Sequence, residues 1–549
     1  MDTNDKNNTQ ITDTACLSFG KRYLAVGVLV YLLAVFAALN TSGLSDIDRN
    51  LFISFSSAFA LATGTIALTI FIFTRKSREF RILILSSFTI ILIVILAFCR
   101  VYFCRLSLQE KSAIFEKNIE IIGIVKSTPV MSSTDKSFAV DIDVLQTSTD
   151  DSSKLLDSEH LISMNIAAEN KLPQYGDCIS FKIDADFFND KPYSLQKRMF
   201  QSKIVFWGYT KEIDFVSPPE NSRNAIGKTE QLGMFLRTGI LNSTNLLTYG
   251  YDEKALLQGL LIGEMSGFSD ELYADYTSSG FIHIASVSGM HTSSLFLALC
   301  FILGFFHFRK RHIAIVAIPL LILFCAIALF TPSVCRAATM LIVLLSGLII
   351  RRRSDGITSL AFAAALLVTD NPFCLESPSF LMSFGATLGL LVYTTLILYH
   401  ISFCNYEPPK PNPNFLQRVL SFLTKYYTNS MSLSLAATIG LGYFTMYFFG
   451  KLQWGSIIGN LLIFPITAFS FIGGYINCVF YYISENIATL FAHIFLNPVL
   501  YLMNCITEFF AAGIFTFKTP YLPVYLFPVY VIFCIILYIW MQKERDYTC

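Results

Sequence analysis

One short stretch of the chain concentrates residues whose side chains could do chemistry. The segment SGFIHIASVSGMHTSSLFLAL (279–299) carries His283, Ser288 and His291 in or beside an apolar run that is typical of a membrane helix. Polar groups in hydrocarbon cost free energy unless a partner or water satisfies them. If the segment is helical, Ser288 and His291 share one face, and Gly289 allows another helix to approach closely.

This pair of residues permits two functional interpretations and one structural one. A serine three residues before a histidine could form a nucleophile–base dyad, which would predict an intramembrane hydrolase. Such a dyad also needs an orienting group and an oxyanion hole, and the local sequence S-V-S-G-M differs from the G-x-S-x-G nucleophile elbow. The second interpretation is that the side chains line or brace a water-containing conduit. In the structural interpretation, His291 is neutral and bonded to a neighbouring helix.

More polar residues and helix breakers occur later in the apolar part of the chain: Pro332, Arg336, Asn371, Pro372, Glu376, Ser383, Asn460 and Pro465. Some have simple explanations, since Ser293 and Ser294 could bond the carbonyl four residues back and Arg336 could extend to the outer headgroups. A shared polar cavity would explain them together, because broken backbone in a membrane is tolerated where it lines a cavity or is buried in protein. We therefore expect the polar residues to line or brace one conduit, and the three prolines to break helices beside it.

The elements that position these residues must lie largely in a membrane. The chain has 549 residues, of which 54% are hydrophobic and only 14% are charged, and its mean hydropathy is +0.55. Soluble domains carry about 25% charged residues. No C-x-x-C pair, H-E-x-x-H or Walker A sequence occurs, so we expect no metal, cofactor or bound nucleotide and no catalytic residue of those classes.

Hydropathy and charge together predict the topology. Apolar runs at 22–40, 51–74 and 80–103 are each close to the length of a membrane span. Basic residues precede the first run and separate the second from the third, so the positive-inside rule puts the N-terminus in the cytoplasm.

The second apolar block follows the same rule. Basic clusters at 309–311 and 351–353 mark two cytoplasmic turns, and the residues between them form a hairpin with Pro332 near its outer turn. The apolar run at 358–369 is short for a membrane span. Continuing to Lys543 predicts about nine spans in this block, and roughly 12 transmembrane helices with both termini cytoplasmic in all.

Residues 105–217 differ from the rest of the chain. They are polar and contain five stretches of alternating apolar and polar residues, which predicts short strands and a small OB-like β-barrel outside the cytoplasm. Residues 112–217 hold 11 Lys+Arg and 16 Asp+Glu, giving a net charge of −5. A groove for single-stranded nucleic acid is usually basic, so charge does not support nucleic-acid binding by this domain.

The fold class is thus an α-helical polytopic membrane protein with an inserted OB-like extracytoplasmic domain. Two amphipathic stretches in 228–264 predict helices that lie on the outer interface or cover a cavity. The predicted divisions are a tail (1–20), three N-terminal membrane helices (21–104), the β domain (105–217), interfacial helices (218–281), a membrane core (282–541) and a second tail (542–549).

The segment GLLIGEMSGFSDELYADYTSSGFIHIASVSGMH resembles the signature of the ComEC family, whose members form the inner-membrane channel for DNA uptake in bacterial competence. His283, Ser288, Gly289 and His291 match its S-G-hydrophobic-H block and the preceding histidine. TPSVCRA, Asn371 with Pro372, SPSFLMSFGA, and Asn460 with Pro465 then follow in the family's order. The end of the β domain, KPYSLQKRMFQSKIVFWGY, is also similar to the family's OB-like domain.

The resemblance implies that the chain passes single-stranded DNA from the outer side of the bacterial inner membrane into the cytoplasm. Ser288, His291, Arg336 and Glu376 would then line or brace the conduit, where their polar groups suit a phosphate chain. It also implies a DNA receptor outside and an ATPase motor inside. Many family members add a metallo-β-lactamase-like domain, and its H-x-H-x-D-H motif is absent here, so we expect a separate nuclease or another transported polymer or solute.

Overall fold

A computed structural model gives the fold of most of the chain. It describes residues 23–40, 78–112, 114, 119–127, 129–131, 137–149, 152–156, 158–167, 172–182, 199–219, 226–246, 250–351, 355–404 and 414–548. The predicted tail 1–20 and the predicted span 51–74 lie outside these residues.

The described helices follow one another in this order: α1 (Tyr23–Leu39), α2 (Arg78–Ser112), α3 (Lys228–Leu246), α4 (Tyr251–Ile262), α5 (Asp270–Ser279), α6 (Ile282–Ala285), α7 (Gly289–Phe305), α8 (Lys310–Ile327), α9 (Pro332–Ile349), α10 (Gly356–Asp370), α11 (Pro378–Cys404), α12 (Phe415–Phe449), α13 (Gly455–Ile483), α14 (Glu485–Phe491), α15 (Asn497–Ala511) and α16 (Phe527–Thr548). Within the described residues, eight helical segments are long and apolar enough to cross a membrane, and three shorter apolar helices accompany them. This confirms a mostly helical protein of the membrane class, while the number of spans stays a prediction.

The chain divides into two compact units. The first contains α1, the part of α2 up to Leu106, and α10. The side chain of Arg100 donates hydrogen bonds to the carbonyls of Thr369 and Asp370, and Tyr31 lies 3.1 Å from the Thr369 hydroxyl. A cation at a helix C-terminus satisfies carbonyls that lack partners within the helix, so Arg100 fixes the end of α10.

The β domain belongs to the second unit and contains the strands β1 (Glu120–Val125), β2 (Val130–Met131), β3 (Ser137–Thr149), β4 (Ser152–Leu155), β5 (Leu161–Ala167), β6 (Cys178–Lys182), β7 (Ile204–Thr210) and β8 (Asp214–Phe215). The strands pair in the order β7-β5-β3-β1-β6-β8, and β5 and β7 run parallel. Burial alternates along β5, as the sequence pattern predicts. The described strands do not close on themselves, so the domain is confirmed as a β-sheet and the OB-like barrel stays a prediction.

Glycines set the closest helix contact of the second unit. Gly385 and Gly389 on α11 face Gly440 on α12, and a Cβ added at Gly385 would lie 2.9 Å from the Gly440 carbonyl. Without a hydrophobic driving force between helices in lipid, such close backbone approach supplies van der Waals contact. The segment SPSFLMSFGA therefore includes a helix-packing motif.

The helix α4 is buried more completely than an interfacial helix would be. All residues from Ala255 to Ile262 are buried, and Leu256, Leu257, Leu260 and Leu261 join the main core with Phe281 and Phe471. This burial places the second half of α4 in the core rather than on the interface, and the other predicted possibility, that the helix covers a cavity, stays a prediction. In α3, by contrast, Phe235 is 75% exposed, and the position of this helix on the interface stays a prediction.

Pro332 begins the second of two consecutive helices joined by a short turn, as predicted, while the side of the membrane on which this turn lies stays a prediction. The helices α8 and α9 are joined by residues 328–331, where Leu329 and Phe330 adopt positive φ values of 53° and 50°. Pro332 occupies the first turn of α9, where its fixed φ fits the helix and its missing N–H costs no hydrogen bond.

Candidate functional site

The backbone breaks between the two histidines of the polar segment. The helix α5 ends at Gly280, whose φ is 85°, and α6 covers only four residues. Ser288 then takes an extended conformation and caps α7, which begins at Gly289. The expectation that Ser288 and His291 share a face of one helix is therefore wrong, because Ser288 precedes the helix.

Ser288 and His291 nevertheless meet. The backbone N–H of Ser288 donates to Nδ1 of His291 at 3.1 Å, and the Ser288 hydroxyl lies 3.1 Å from the same nitrogen. This is the arrangement of a capping box, with histidine in the place usually taken by Glu or Gln. Since Nδ1 accepts a backbone hydrogen bond, the proton of a neutral ring must be on Nε2.

The other side of the His291 ring is buried. The side chain is 1% exposed, and its ring centroid lies 5.0 Å from that of Phe471 on α13. Nε2 has no hydrogen-bond partner in the described part of the chain. His291 therefore presents a neutral N–H donor inside the protein. The structural interpretation predicted a neutral histidine with its hydrogen bonds made, and this holds for Nδ1 only.

The same geometry bears on the hydrolase interpretation. The distance between Ser288 Oγ and His291 Nδ1 suits a nucleophile–base pair. The backbone N–H of Ser288 also uses this nitrogen, however, and no described residue orients the ring through Nε2. The cap explains the contact without catalysis.

The flanking residues have local contacts. Nδ1 of His283 lies 2.7 Å from the carbonyl of Gly280, and the residue as a whole is exposed. Ser293 donates to the carbonyl of Gly289 at 2.9 Å, which confirms the bond to the carbonyl four residues back. A Cβ at Gly289 would lie 3.4 Å from Ala337 on α9, so the predicted close approach of another helix is also confirmed.

Arg336 is a buried guanidinium with one polar partner. It is 6% exposed, and Nη2 donates to the hydroxyl of Ser379 at 2.6 Å. Nε has no partner, and no carboxylate in the described residues forms an ion pair with Arg336. The suggestion that Arg336 extends to the headgroups is wrong here, because the side chain turns toward α11.

Pro465 breaks the hydrogen bonding of α13 as expected. A proline cannot donate to the carbonyl four residues earlier, which belongs to Leu461. The hydroxyl of Tyr426 on α12 donates to this carbonyl at 3.0 Å. The freed backbone group is thus satisfied by a neighbouring helix, one of the two situations in which a membrane tolerates such a break.

The remaining predicted residues are dispersed. Asn460 lies near the start of α13, and its buried side-chain oxygen has no hydrogen-bond partner among the described residues. Glu376 and Ser383 are half-buried at the end of the 3-10 turn Pro372–Glu376 and in α11. Asn371 is buried at the end of α10 and belongs, with Pro372, to the first unit. The structure therefore brings Ser288 and His291 into contact but does not test one shared cavity.

The sequence analysis missed a buried ion pair in the second unit. Arg237 on α3 contacts Glu264 at 2.6 Å and donates to the carbonyls of Ile262 at 2.5 Å and Ile327 at 3.1 Å. Tyr475 on α13 donates to the carbonyl of Leu261 nearby. These contacts join α3, α4, α8 and α13 around the core. The only signal in the sequence is one arginine within an apolar helical face.

Comparison with known proteins identifies the group to which this architecture belongs. The family model described as "Competence protein" matches residues 260–544, slightly more than half of the chain. The chain belongs to the competence protein family. The match begins in α4 and ends in α16, so it includes the capped Ser288–His291 segment, Arg336 and Pro465.

One curated relative supports the assignment. ComE operon protein 3 from Bacillus subtilis (strain 168) is 26% identical over 193 residues, which cover 35% of this chain and 24% of the relative. The chain thus spans about a quarter of the length of the relative it matches, and the ComEC resemblance is confirmed at the level of the family. No solved structure matches the chain. No group of three metal-binding side chains occurs in the described residues.

Proposed function

We propose that the chain forms a channel that passes single-stranded DNA across the bacterial inner membrane into the cytoplasm during DNA uptake. The observation that carries the proposal is the competence family match over residues 260–544. It coincides with the membrane block that contains the buried polar side chains. A role in competence follows from the family, and the channel and its substrate are our proposal.

Two buried donors fit a polyanionic substrate. Among the described residues, Nε of Arg336 and Nε2 of His291 have no hydrogen-bond partner, and a buried donor without a partner costs about 1–3 kcal/mol. Phosphate oxygens accept strong hydrogen bonds from such groups. We infer that Ser288 holds His291 in the donor tautomer, and that Arg336 and His291 face or brace the path of the strand.

The topology and partners belong to the same proposal. Basic residues near the start of α12 and the end of α16, including Lys425 and Arg545, put these ends in the cytoplasm. We propose a multi-pass inner-membrane protein with both termini cytoplasmic and an OB-like domain outside. A DNA receptor outside and an ATPase motor inside would work with it, and a separate nuclease would degrade the strand that is not imported.

The test is the uptake of labelled DNA into the cytoplasm of host cells. We compare wild type with a deletion, His291→Ala and His291→Gln, and measure surface-bound DNA in parallel. We expect the deletion and His291→Ala to abolish import while surface binding persists. His291→Gln keeps both the capping interaction and a donor, so we expect partial import.

Ser293→Ala is the matched control, because Ser293 lies two residues away and bonds only its own helix. It should import DNA like wild type and appear in the membrane in equal amount. If the deletion strain imports DNA normally, the channel proposal is wrong. Another polymer or solute would then be the substrate.

The contact between Ser288 and His291 favours one second candidate, an intramembrane hydrolase. Ser288→Ala would abolish turnover of a lipid ester or peptide by a hydrolase, and an activity-based serine probe would label wild type only. In a channel, Ser288 would serve only to cap α7 and hold His291. Threonine is also a good N-cap residue, so Ser288→Thr should still support import. Labelling of Ser288 by the probe would favour the hydrolase.

A further inference from the structure

A second, smaller sheet carries two lysines that lie directly opposite each other. Strand β9 (Lys451–Gln453) follows α12, and β10 (Thr516–Lys518) follows α15. The two strands are antiparallel, and Lys451 is directly opposite Lys518. Both side chains are exposed, and in the described part of the chain neither forms an ion pair. Like charges directly opposite each other destabilise a strand pair.

The face that carries the lysines is otherwise used to hold α5. Opposite residues of a strand pair share a face, so Gln453 and Thr516 lie on the lysine side. Gln453 donates to the carbonyls of Thr277 and Ser278, and Thr516 donates to the carbonyl of Ser278. These carbonyls at the end of α5 already have donors, so the helix terminus does not explain the lysines.

The position of the lysines runs against the distribution of charge in the rest of the chain. In α12 and α16 the basic residues lie toward the ends away from this sheet. On the proposed topology the sheet is therefore on the outer side, where basic residues are disfavoured in short connections. A pair of lysines retained there needs a reason that topology does not supply.

An aromatic ring lies beside the lysine pair. Tyr521 is 70% exposed, and its ring packs against Gly450, the residue before Lys451. A Cβ at Gly450 would lie 3.4 Å from that ring, and Gly450 has φ of 59°, so glycine both permits the turn and makes room. Adjacent ammonium groups with an exposed ring offer contacts to phosphates and to a base plane, the combination that single-strand sites use.

We propose that Lys451, Lys518 and Tyr521 form an outer contact site for the phosphates and one base of single-stranded DNA. The site adjoins the end of α5, from which the chain continues to Gly280, His283 and Ser288. The strand would therefore dock next to the segment that leads into the buried donors. This inference rests on the proposed function and names residues that would receive the substrate first.

The experiment uses the full chain in nanodiscs of zwitterionic lipid and a fluorescent oligo-dT, with binding followed by anisotropy over a range of salt. When a single strand binds, each phosphate that the protein neutralises contributes about 0.7 to the slope of log K against log salt concentration. K451Q/K518Q should therefore lower the magnitude of this slope by about 1.4. Between 1 M and 0.1 M salt, that difference corresponds to about 25-fold in affinity. Y521A should weaken binding about 5-fold or more through lost stacking.

Two matched controls lie on the same elements. K425Q removes an exposed lysine at the other end of α12, and F517A removes a ring that is 65% exposed on the opposite face of the small sheet. Neither should change affinity or slope. Equal affinity and slope for K451Q/K518Q and wild type would overturn the inference.

Lipid supplies the competing explanation, because lysine and tyrosine also anchor proteins at membrane surfaces. If K451Q/K518Q alters only the association of the chain with anionic vesicles and leaves oligo-dT binding intact, the pair is a membrane anchor and the inference fails. Failure of the proposed function looks different: the deletion strain would import DNA normally. If the deletion abolishes import but the K451Q/K518Q variant imports DNA like wild type, the contact site is refuted and the proposed channel function is not.

Discussion

Breaking the ion pair between Arg237 and Glu264 tests how the second unit is held together. The two side chains are 7% and 12% exposed and lie 2.6 Å apart. Arg237→Met removes the cation together with its bonds to the carbonyls of Ile262 and Ile327. Glu264→Gln removes the negative charge and leaves those two bonds intact.

The magnitudes follow from what each variant leaves behind. Removing one partner of a buried pair costs about 3–5 kcal/mol, since the other charge is stranded, and the unfolded chain in a membrane finds substitute partners that reduce such values. We expect about 4 kcal/mol for Arg237→Met and about 2 kcal/mol for Glu264→Gln. The double variant leaves neither charge buried without a partner and should cost about 3 kcal/mol. The two single costs add to about 6 kcal/mol, so the coupling energy between the residues is about 3 kcal/mol.

The assay is unfolding of the purified chain by SDS in mixed micelles, followed by the fluorescence of its three tryptophans. Glu544→Gln is the control, because Glu544 is 49% exposed and lies 3.4 Å from His400. Exposed pairs contribute at most about 1 kcal/mol. Single-variant costs below about 1 kcal/mol, or costs that simply add in the double variant, would refute the reasoning.

Three further predictions concern the helices and the sheet. Tyr426→Phe should lower the free energy of unfolding by about 1–3 kcal/mol in the same assay, because the carbonyl of Leu461 loses its donor. In a Pro465→Ala background the new backbone N–H can bond this carbonyl, so the same substitution should cost much less. Equal costs in both backgrounds would contradict this. Gly440→Val should separate α11 from α12 and lower the detergent melting temperature by several degrees, whereas an unchanged melting temperature would argue against the glycine contact. Burial raises the pKa of Asp141, so the folded state holds its proton to higher pH than the unfolded state and stability falls as pH rises through that raised pKa. Asp141→Asn should therefore stabilise the sheet at neutral pH and flatten this dependence, which thermal unfolding at several pH values can check.

Local patterns predicted much of this fold. The alternation along β5, the back-bond of Ser293 and the position of Pro332 each depend on neighbours within a few residues, and such neighbours are visible in a sequence. The cap could also have been found, since a histidine three residues after a serine fits the spacing of a capping box. The assumption of an unbroken helix concealed it.

Contacts between distant parts of the chain were not predictable in the same way. The sequence of α4 is apolar on nearly all sides, which signals a core helix, but the polar residues at its ends led to an interfacial interpretation. Arg237 and Glu264 are separated by about six helical turns and a connection, and nothing local specifies that they meet. Likewise, Tyr426 compensates for Pro465 only because α12 packs beside α13.

The satisfied break in α13 makes the unsatisfied donors elsewhere more informative. The fold supplies a hydroxyl 3.0 Å from the carbonyl that Pro465 frees, so unpaired backbone in this unit is compensated where a neighbour can reach it. Yet, in the part of the chain that the structure describes, Arg336 bonds one neutral side chain, that of Ser379, and His291 has no partner at Nε2. A purely structural role for either position would be served by an apolar residue of similar volume without stranding a donor. The arginine and the tautomer-fixed histidine each leave a donor without a partner among the described residues. Such donors suit the proposed channel, because an acceptor arriving from outside the protein, such as the oxygen of a phosphate or of water, would satisfy them.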